Sequence, residues 1–556
     1  MPTLSGKLIN LLELGQDKKI LHLLKTGDED IHLNYQQLLD GAGKYAFVLS
    51  EMGVNPGEVI IIILQHGLDL IFAYFGAILN GSIPSIMPFL TEKLLPEKYR
   101  KDLITLFQIT QPSAIITFKE FENEISEINN EFPLKGIIYS EEVKFEARSN
   151  FSKEYPGVLR DESDIVLLQH SSGSTGLQKG VALSHKAIFN QLNSYSQAIH
   201  LNDKDVIISW LPLYHDMGLI ASFLMPILMG VPLVLLSPFD WVRAPHKLFK
   251  AISEYSGTLT WLPNFAYNFC AKKIREEDLN GLDLSSMRAV INCSEPMKVE
   301  SHVMFAERFS KYGLNELSLA TCYAMAENVF AVTQDGIDEP VMIDIIDRDV
   351  FQNEGIAKKI TKVETSLNMV SAGKPVANCS VKIIDEKGKV LPERHLGEII
   401  IKSDCMLEEY YLRKIETKAS MLNGWFKTGD LGYFAEGKLF ISGRKKDLII
   451  IGGKNIYPQD IESVVNEVKG VHPGRTVAFG VFNDSKGTEE AVVLAELDSG
   501  HVDNREAIAD EIRKNVNQST AIALRHVFLV DDKWLIKTSS GKIARAANKA
   551  KYLDSK

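Results

Sequence analysis

The chain has 556 residues, 45% of them hydrophobic and 24% charged, a balance that fits a globular protein too long for one compact core and excludes a disordered one. A formal net charge of −11 opposes nonspecific binding to nucleic acid or anionic lipid, because the long-range field repels both. Five scattered cysteines form no CxxC pair and accompany no histidine cluster at metal-ligand spacing, so a reduced, cytoplasmic protein without structural zinc is expected.

The first residues, MPTLSGKLINLLELGQDKKI, place charges soon after a short apolar run, and no signal peptide is expected. Apolar β-rich runs at residues 59–64, 114–117, 165–169, 206–209, 233–236 and 289–292 alternate with longer helix-like segments, the pattern of α/β layers with largely parallel sheets. Residues 220–239 lack charge and have the length to span a bilayer, but Pro226, Gly230, Pro232 and Pro238 interrupt them. Helix, turn and buried strand are expected there, and no integral membrane segment. After about residue 375 the texture changes to short strands and turns, at 381–385, 397–401 and 438–442, which reads as a small β-rich module ending at 443. From residue 444 a compact unit follows, with helices expected over 458–468 and 504–517 and strands over 476–481 and 491–496. The expected fold class is therefore α/β: a large N-terminal domain (1–443) of layered α/β subdomains with the β-rich module at about 375–443, then a small C-terminal α+β domain (444–556).

Directly after the apolar run at 165–168 come Ser171-Ser172-Gly173-Ser174-Thr175-Gly176-Leu177-Gln178-Lys179-Gly180. Small residues let backbone N–H groups approach an anion, the hydroxyls donate hydrogen bonds, and Lys179 adds positive charge: a phosphate cradle. The stretch is not a Walker A motif, because GxxxxGK[ST] is absent, and it lacks the GxGxxG of a dinucleotide site. By composition alone, a flexible Ser/Gly loop fits equally well.

This stretch, SSGSTGLQKGV, resembles the phosphate-loop signature of the adenylate-forming superfamily of acyl-CoA synthetases, luciferases and peptide-synthetase adenylation domains. Further stretches resemble that superfamily in the same order over nearly the whole chain. Tyr323-Ala324-Met325-Ala326-Glu327 is similar to its YGxTE or YGLAE stretch, which implies that Tyr323 lies against the adenine and that Glu327, with Thr175, holds Mg2+. An aromatic face suits a purine and a carboxylate suits a hard cation, although either residue alone is more often structural. WFKTGDLG at 425–432 resembles WxxTGDLG and implies that Asp430 accepts hydrogen bonds from the ribose hydroxyls. GRKKD at 443–447 resembles GRxKD, which implies that Arg444 reaches ribose or phosphate and that Lys446 and Asp447 form a hinge. KTSSGKI at 537–543 resembles KTxSGKI and implies Lys542 as the catalytic lysine on a mobile C-terminal domain. Asn292-Cys293-Ser294-Glu295-Pro296 keeps part of a GAEP loop and implies that Ser294 and Glu295 lie beside the nucleotide. The implied nucleotide set is thus Ser171, Ser172, Gly173, Ser174, Thr175, Gly176, Lys179, Ser294, Glu295, Tyr323, Ala324, Asp430 and Arg444.

Three stretches resemble one branch, the fatty acyl-AMP ligases: LPLYHDMGLI at 211–220, PNFAY at 263–267 and YPQDIE at 457–462. This implies His215 as a further catalytic residue and an acyl pocket near Trp210, Tyr214, Met217 and Asn264. The partly charged residues 335–362 resemble that branch's insertion, which restrains the C-terminal domain; by composition they are a surface excursion. The resemblance implies a ligase that uses ATP and Mg2+ to turn a fatty or other carboxylic acid into acyl-AMP, releasing pyrophosphate. The acyl group would then pass to the phosphopantetheine thiol of an acyl carrier protein. Free coenzyme A as acceptor, amino-acid activation with Asp216 on the substrate ammonium, and a nucleotide-binding regulator without catalysis are the alternatives.

Overall fold

The computed structural model describes residues 3–14, 18–90, 96–129, 132–144, 155–171, 179–360, 366–451, 454–483, 488–498, 504–520, 524–538 and 542–555. Among them, fifteen strands form one long sheet whose halves follow different rules. In one half Leu21–Leu23, Leu233–Leu235, Ile207–Ser209, Leu259–Leu262, Ala289–Cys293 and Leu319–Ala324 pair in parallel, in that spatial order. These strands are apolar on both faces, as a parallel sheet covered by helices requires. In the other half Ala331–Asp335, Ser366–Pro375, Lys438–Arg444, Trp425–Ala435, Gly397–Ser403 and Cys379–Ile384 pair antiparallel. The change of direction falls between Leu319–Ala324 and Ala331–Asp335. The antiparallel half therefore starts upstream of residue 375, where the change of texture was read.

Two smaller sheets flank this one. Ile83–Ile86, Val59–Ile62, Ala114–Thr117 and Gly136–Tyr139 form a parallel sheet, and Ile165–Ser171 and Lys179–Ser184 form a hairpin completed by Glu409–Tyr410. Toward the C-terminus Val471–Asn483, Thr488–Leu497 and His526–Val530 make a sheet with the helices Pro458–Asn466 and Arg505–Thr520. Its apolar cluster, which includes Ile461, Val465, Val493, Ile512 and Val516, closes among residues beyond 448. The fold is α/β with layered subdomains, as expected.

Residues 220–239 resolve into a π-helix, Met217–Leu224, a helix, Met225–Met229, a left-handed turn at Gly230 and the strand Leu233–Leu235. No helix among the described residues is long and apolar enough to cross a membrane. The excursion at 335–362 carries regular structure: strand Ile343–Asp347 pairs with Ser366–Pro375, and the Asp347 side chain caps the helix Arg348–Glu354. That helix packs on the C-terminal part of the chain through Phe351, whose ring stacks on Tyr457 at 6.1 Å. Arg348 donates to the Ser519 carbonyl at 2.6 Å. All five cysteines are free and buried.

Candidate active site

The junction between the two halves of the large sheet gathers Tyr323, Ala324, Glu327, Asp430 and Arg444 of the expected site. Tyr323 stands near the end of the last parallel strand, just before a bulge at Ala324, and its hydroxyl donates to Asp430 Oδ2 at 2.5 Å. Asp430 follows Gly429, whose φ of 74° a side chain would resist. Its N–H donates to Thr428 Oγ1 at 3.0 Å, and that hydroxyl donates to the Ile399 carbonyl at 2.7 Å, so the acid is held by its own turn. Across the strand pair Asp430 faces Arg444, with Oδ1 to Nε at 3.3 Å. Burial pushes the Asp430 carboxyl above its usual pKa, against the pull of Arg444, Tyr323 and Lys446.

Glu327 sits in the short helical turn Ala326–Asn328 inside the reversal. The next two residues close a γ-turn: Val329 has φ 61° and ψ −54°, and Phe330 N–H donates to the Asn328 carbonyl at 2.6 Å. A β-branched residue in this region is strained, and the strain lies beside a site acid. Glu327 Oε1 accepts from the Tyr410 hydroxyl at 2.8 Å. Burial raises the pKa of Glu327, with Tyr410 and Arg444 pulling it down and Asp216 adding to the rise. Lys179 lies on the other side of Tyr410, its ammonium 4.3 Å from the ring centre. Tyr410 was not among the residues expected from the sequence.

The expected phosphate cradle falls between the paired strands Ile165–Ser171 and Lys179–Ser184 in sequence. Ser171 ends one strand and pairs in register with Lys179, which begins the other. Ser172, Gly173, Ser174, Thr175 and Gly176 lie outside the described residues, as does the side chain of Ser171.

Lys542 reaches this region from the C-terminal part of the chain, its Nζ donating to the Ser294 carbonyl at 2.6 Å. Two hydrogen bonds tie the flanking residues: Thr538 N–H donates to the Lys542 carbonyl at 2.7 Å, and Asn548 Oδ1 accepts from Ile536 N–H at 2.8 Å. Ser294 is left-handed, with φ 70°. Close by, His215 Nδ1 is 2.6 Å from Asp216 Oδ1, and Asp216 caps the π-helix by accepting from Met217 N–H at 2.8 Å. Burial would raise the Asp216 carboxyl, but His215 and then Lys542 outweigh it and hold it below the usual carboxylate value. Gly218 permits this turn, because a Cβ there would meet the Pro212 carbonyl oxygen at 2.2 Å.

The residues expected at the acyl pocket divide. Trp210 is buried and lies flat on Trp241, ring centres 3.5 Å apart and planes 4° from parallel, with Phe265 edge-on to both. Met217 is buried with its sulfur 3.9 Å from Ser294 Oγ, and burial pushes the half-buried Tyr214 hydroxyl up to about 12. Asn264 has another task. Its amide donates to Ser301 Oγ at 3.1 Å and accepts from Asn292 at 3.0 Å and from Lys298 N–H at 3.2 Å, and Asn292 also meets His302 Nε2 at 3.0 Å. A buried amide must satisfy its polar atoms, and this network underpins the strand leading to Ser294. Glu295 likewise faces the helix Asn264–Lys273, accepting from Phe265 N–H at 2.9 Å. Ala324 follows Tyr323 at the bulge.

The expected hinge residues lie in the turn Lys445–Asp447 after Arg444. Asp447 pairs with Arg545 at 3.0 Å, while burial and the nearby Arg444 lower the pKa of Lys446. Gln459 Nε2 donates to the Ser442 carbonyl at 2.5 Å, joining the two sides of that turn.

No group of three or more His, Cys, Asp or Glu side chains among the described residues could hold a metal ion. Of the expected Mg2+ holders Glu327 is the one among the described residues, and its chemistry fits: a carboxylate whose burial raises its pKa gains from an added positive charge. Mg2+ usually takes one or two protein carboxylates together with phosphate oxygens and water.

Comparison with known proteins identifies the family. The profile described as AMP-binding enzyme matches residues 15–411. The chain is 29% identical over 563 residues to medium-chain-fatty-acid–(acyl-carrier-protein) ligase JamA of Moorena producens, covering 97% of this chain and 93% of that one. It is 30% identical over 549 residues to long-chain-fatty-acid–AMP ligase FadD32 of Mycolicibacterium smegmatis, covering 90% and 86%. A solved structure from work on fatty acyl-adenylate ligases of E. coli and L. pneumophila superposes with a TM-score of 0.90 at 27% identity, covering 100% of this chain and 98% of the other. The chain belongs to the AMP-binding enzyme family of adenylate-forming ligases and resembles its fatty acyl-AMP ligases.

Proposed function

We propose that this chain uses ATP and Mg2+ to convert a fatty acid into acyl-AMP and pyrophosphate, then passes the acyl group to the phosphopantetheine thiol of an acyl carrier protein. The observation that carries this reading is the reach of Lys542 to the Ser294 carbonyl, beside His215 and Asp216. The names of the relatives in Moorena producens and Mycolicibacterium smegmatis support the acid, and the first supports the carrier-protein acceptor.

In the first step a carboxylate oxygen of the acid attacks the α-phosphorus, the bond to the bridging oxygen of the β-phosphate breaks, and pyrophosphate leaves with the electron pair. Two anions meet there, so cationic stabilisation is the main task, and Lys542 performs it with Lys179 of the phosphate cradle. Glu327 and Thr175 would hold Mg2+, which neutralises phosphate charge when bound. Tyr323 faces the adenine, Asp430 accepts from the ribose hydroxyls, Arg444 contacts ribose or phosphate, and His215, oriented by Asp216, faces the acid. Trp210, Tyr214 and Met217 line the acyl chain. In the second step the thiol sulfur attacks the acyl carbonyl carbon, the thiol proton is lost and AMP leaves.

The division of labour runs between a domain of residues 1–443 and a mobile one of 444–556, which turns about Lys446 and Asp447 between the two steps. The deciding experiment supplies ATP, Mg2+ and a panel of fatty acids, with either coenzyme A or a phosphopantetheinylated carrier protein. Acyl-AMP that transfers to the carrier supports the reading. Rapid acyl-CoA formation replaces the acceptor, and absence of acyl-AMP with every acid overturns the activity.

A further inference from the structure

Residues 407–411 run as a crosspiece between two parts of the site that no shared strand joins. Leu407 N–H donates to the Glu327 carbonyl at 2.8 Å, Glu408 N–H to the Ala182 carbonyl at 2.9 Å and Tyr411 N–H to the Gly180 carbonyl at 2.8 Å. The strand Glu409–Tyr410 pairs with Lys179–Ser184, with Tyr410 opposite Val181. One end of the crosspiece is thus tied to the backbone of Glu327, and the other to the strand Lys179–Ser184 that begins at Lys179. At its centre the Tyr410 side chain repeats the link with two separate handles: the hydroxyl on Glu327 Oε1 at 2.8 Å and the ring face under the Lys179 ammonium at 4.3 Å. Tyr410 is 4% exposed, so its ring has little freedom to swing between the two partners.

We propose that Tyr410 is a positioning residue that ties the Glu327 carboxylate to the Lys179 ammonium and so sets the spacing between the metal end and the phosphate end of the site. The proposal rests on the adenylation reading for the meaning of those two ends. Glu327 and Lys179 act on the same triphosphate, one through a cation and one directly, and a displacement of either by a fraction of an ångström misaligns the leaving group. Tyr410 holds both without touching substrate itself.

The handles separate by substitution. Tyr410→Phe keeps the ring under Lys179 and loses the hydroxyl, whereas Tyr410→Leu loses both. Two titrations read the handles apart on the full chain: Mn2+ followed by its electron paramagnetic resonance in the presence of a non-hydrolysable ATP analogue, and the same analogue followed by calorimetry in EDTA. For Tyr410→Phe the Mn2+ half-saturation rises about tenfold, the scale of a lost hydrogen bond to a charged group, while analogue binding in EDTA stays at wild type. For Tyr410→Leu the analogue in EDTA also weakens, about threefold. Wild-type Mn2+ binding by Tyr410→Phe overturns the proposal, as do equal losses in both titrations for the two variants. A lowered melting temperature with both binding constants unchanged also overturns it, since that is the mark of a merely structural tyrosine. Failure of the wild type to form acyl-AMP sinks the adenylation reading instead, and leaves the two titrations to judge Tyr410.

Discussion

The proposed nucleotide end of the site, ribose and metal together, and its proposed acyl end are built on opposite plans. At the nucleotide end each acid already has a protein partner: Asp430 has Tyr323 and Arg444, and Glu327 has Tyr410. At the acyl end aromatic faces are piled, Trp210 on Trp241 with Phe265 edge-on, and the neighbouring amides Asn264 and Asn292 are tied to one another. The first plan fixes atoms to a few tenths of an ångström and suits a ligand whose every copy is alike. The second fixes shape and tolerates variation in what fills it.

The largest expected effect belongs to Lys542, which serves neither end alone. Lys542→Ala lowers acyl-AMP formation by about 10² to 10³-fold, as loss of a charge-stabilising donor does, and spares thioester formation from supplied acyl-AMP. Equal loss in pyrophosphate release and in the transfer assay would refute this separation. Next comes the ribose end: Asp430→Asn raises the KM for ATP by about ten- to a hundredfold and leaves the ranking of fatty acids unchanged. A changed ranking in that variant would mean that the two plans are not independent. Trp210→Phe tests the other side, altering kcat/KM among acids of different length by about threefold to tenfold while the KM for ATP holds, both read from steady-state kinetics.

The smallest effect is on stability against pH. His302, stacked on Tyr267 and bonded to Asn292, has its pKa lowered by burial from 6.5 to about 4. The folded chain keeps this imidazole neutral, whereas the unfolded chain begins to protonate it near 6.5. Stability present above that pH is therefore lost as the pH falls from 6.5 toward about 4. The stability lost between pH 7 and pH 5, read from denaturation at the two pH values, should be smaller in His302→Gln than in the wild type by about 2 kcal/mol. An unchanged difference would show that the buried imidazole is not a source of the slope.

Legibility followed the same two plans. Asp430, Arg444, Tyr323 and Lys542 stand in stretches where residue type and spacing carry the chemistry, and the structure brings the first three together and Lys542 to Ser294. Some parallel strands were legible too, Ile207–Ser209, Leu233–Leu235 and Ala289–Cys293 as apolar runs on a sheet buried on both faces, whereas Leu259–Leu262 and Leu319–Ala324 were not picked out. Leu21–Leu23 and Ile31–Leu33 were not legible either, because His22 and His32 stand at their centres and break the apolar run. Glu295 and Asn264 were assigned from their positions in recognisable stretches, but their hydrogen bonds run to the protein, which neighbouring residues in sequence do not reveal. Tyr410 had a weaker signal still. In Glu408-Glu409-Tyr410-Tyr411 the strand period puts the two tyrosines on opposite faces without saying which faces inward.

Ser294 gives Lys542 a main-chain acceptor, and this shifts what heredity must preserve at that position. Any residue supplies the same carbonyl, so the side chain is free to drift as long as it tolerates a φ of 70°. Glycine or asparagine there keeps the lysine docked. Valine or isoleucine would undock it without removing a single atom of the bond.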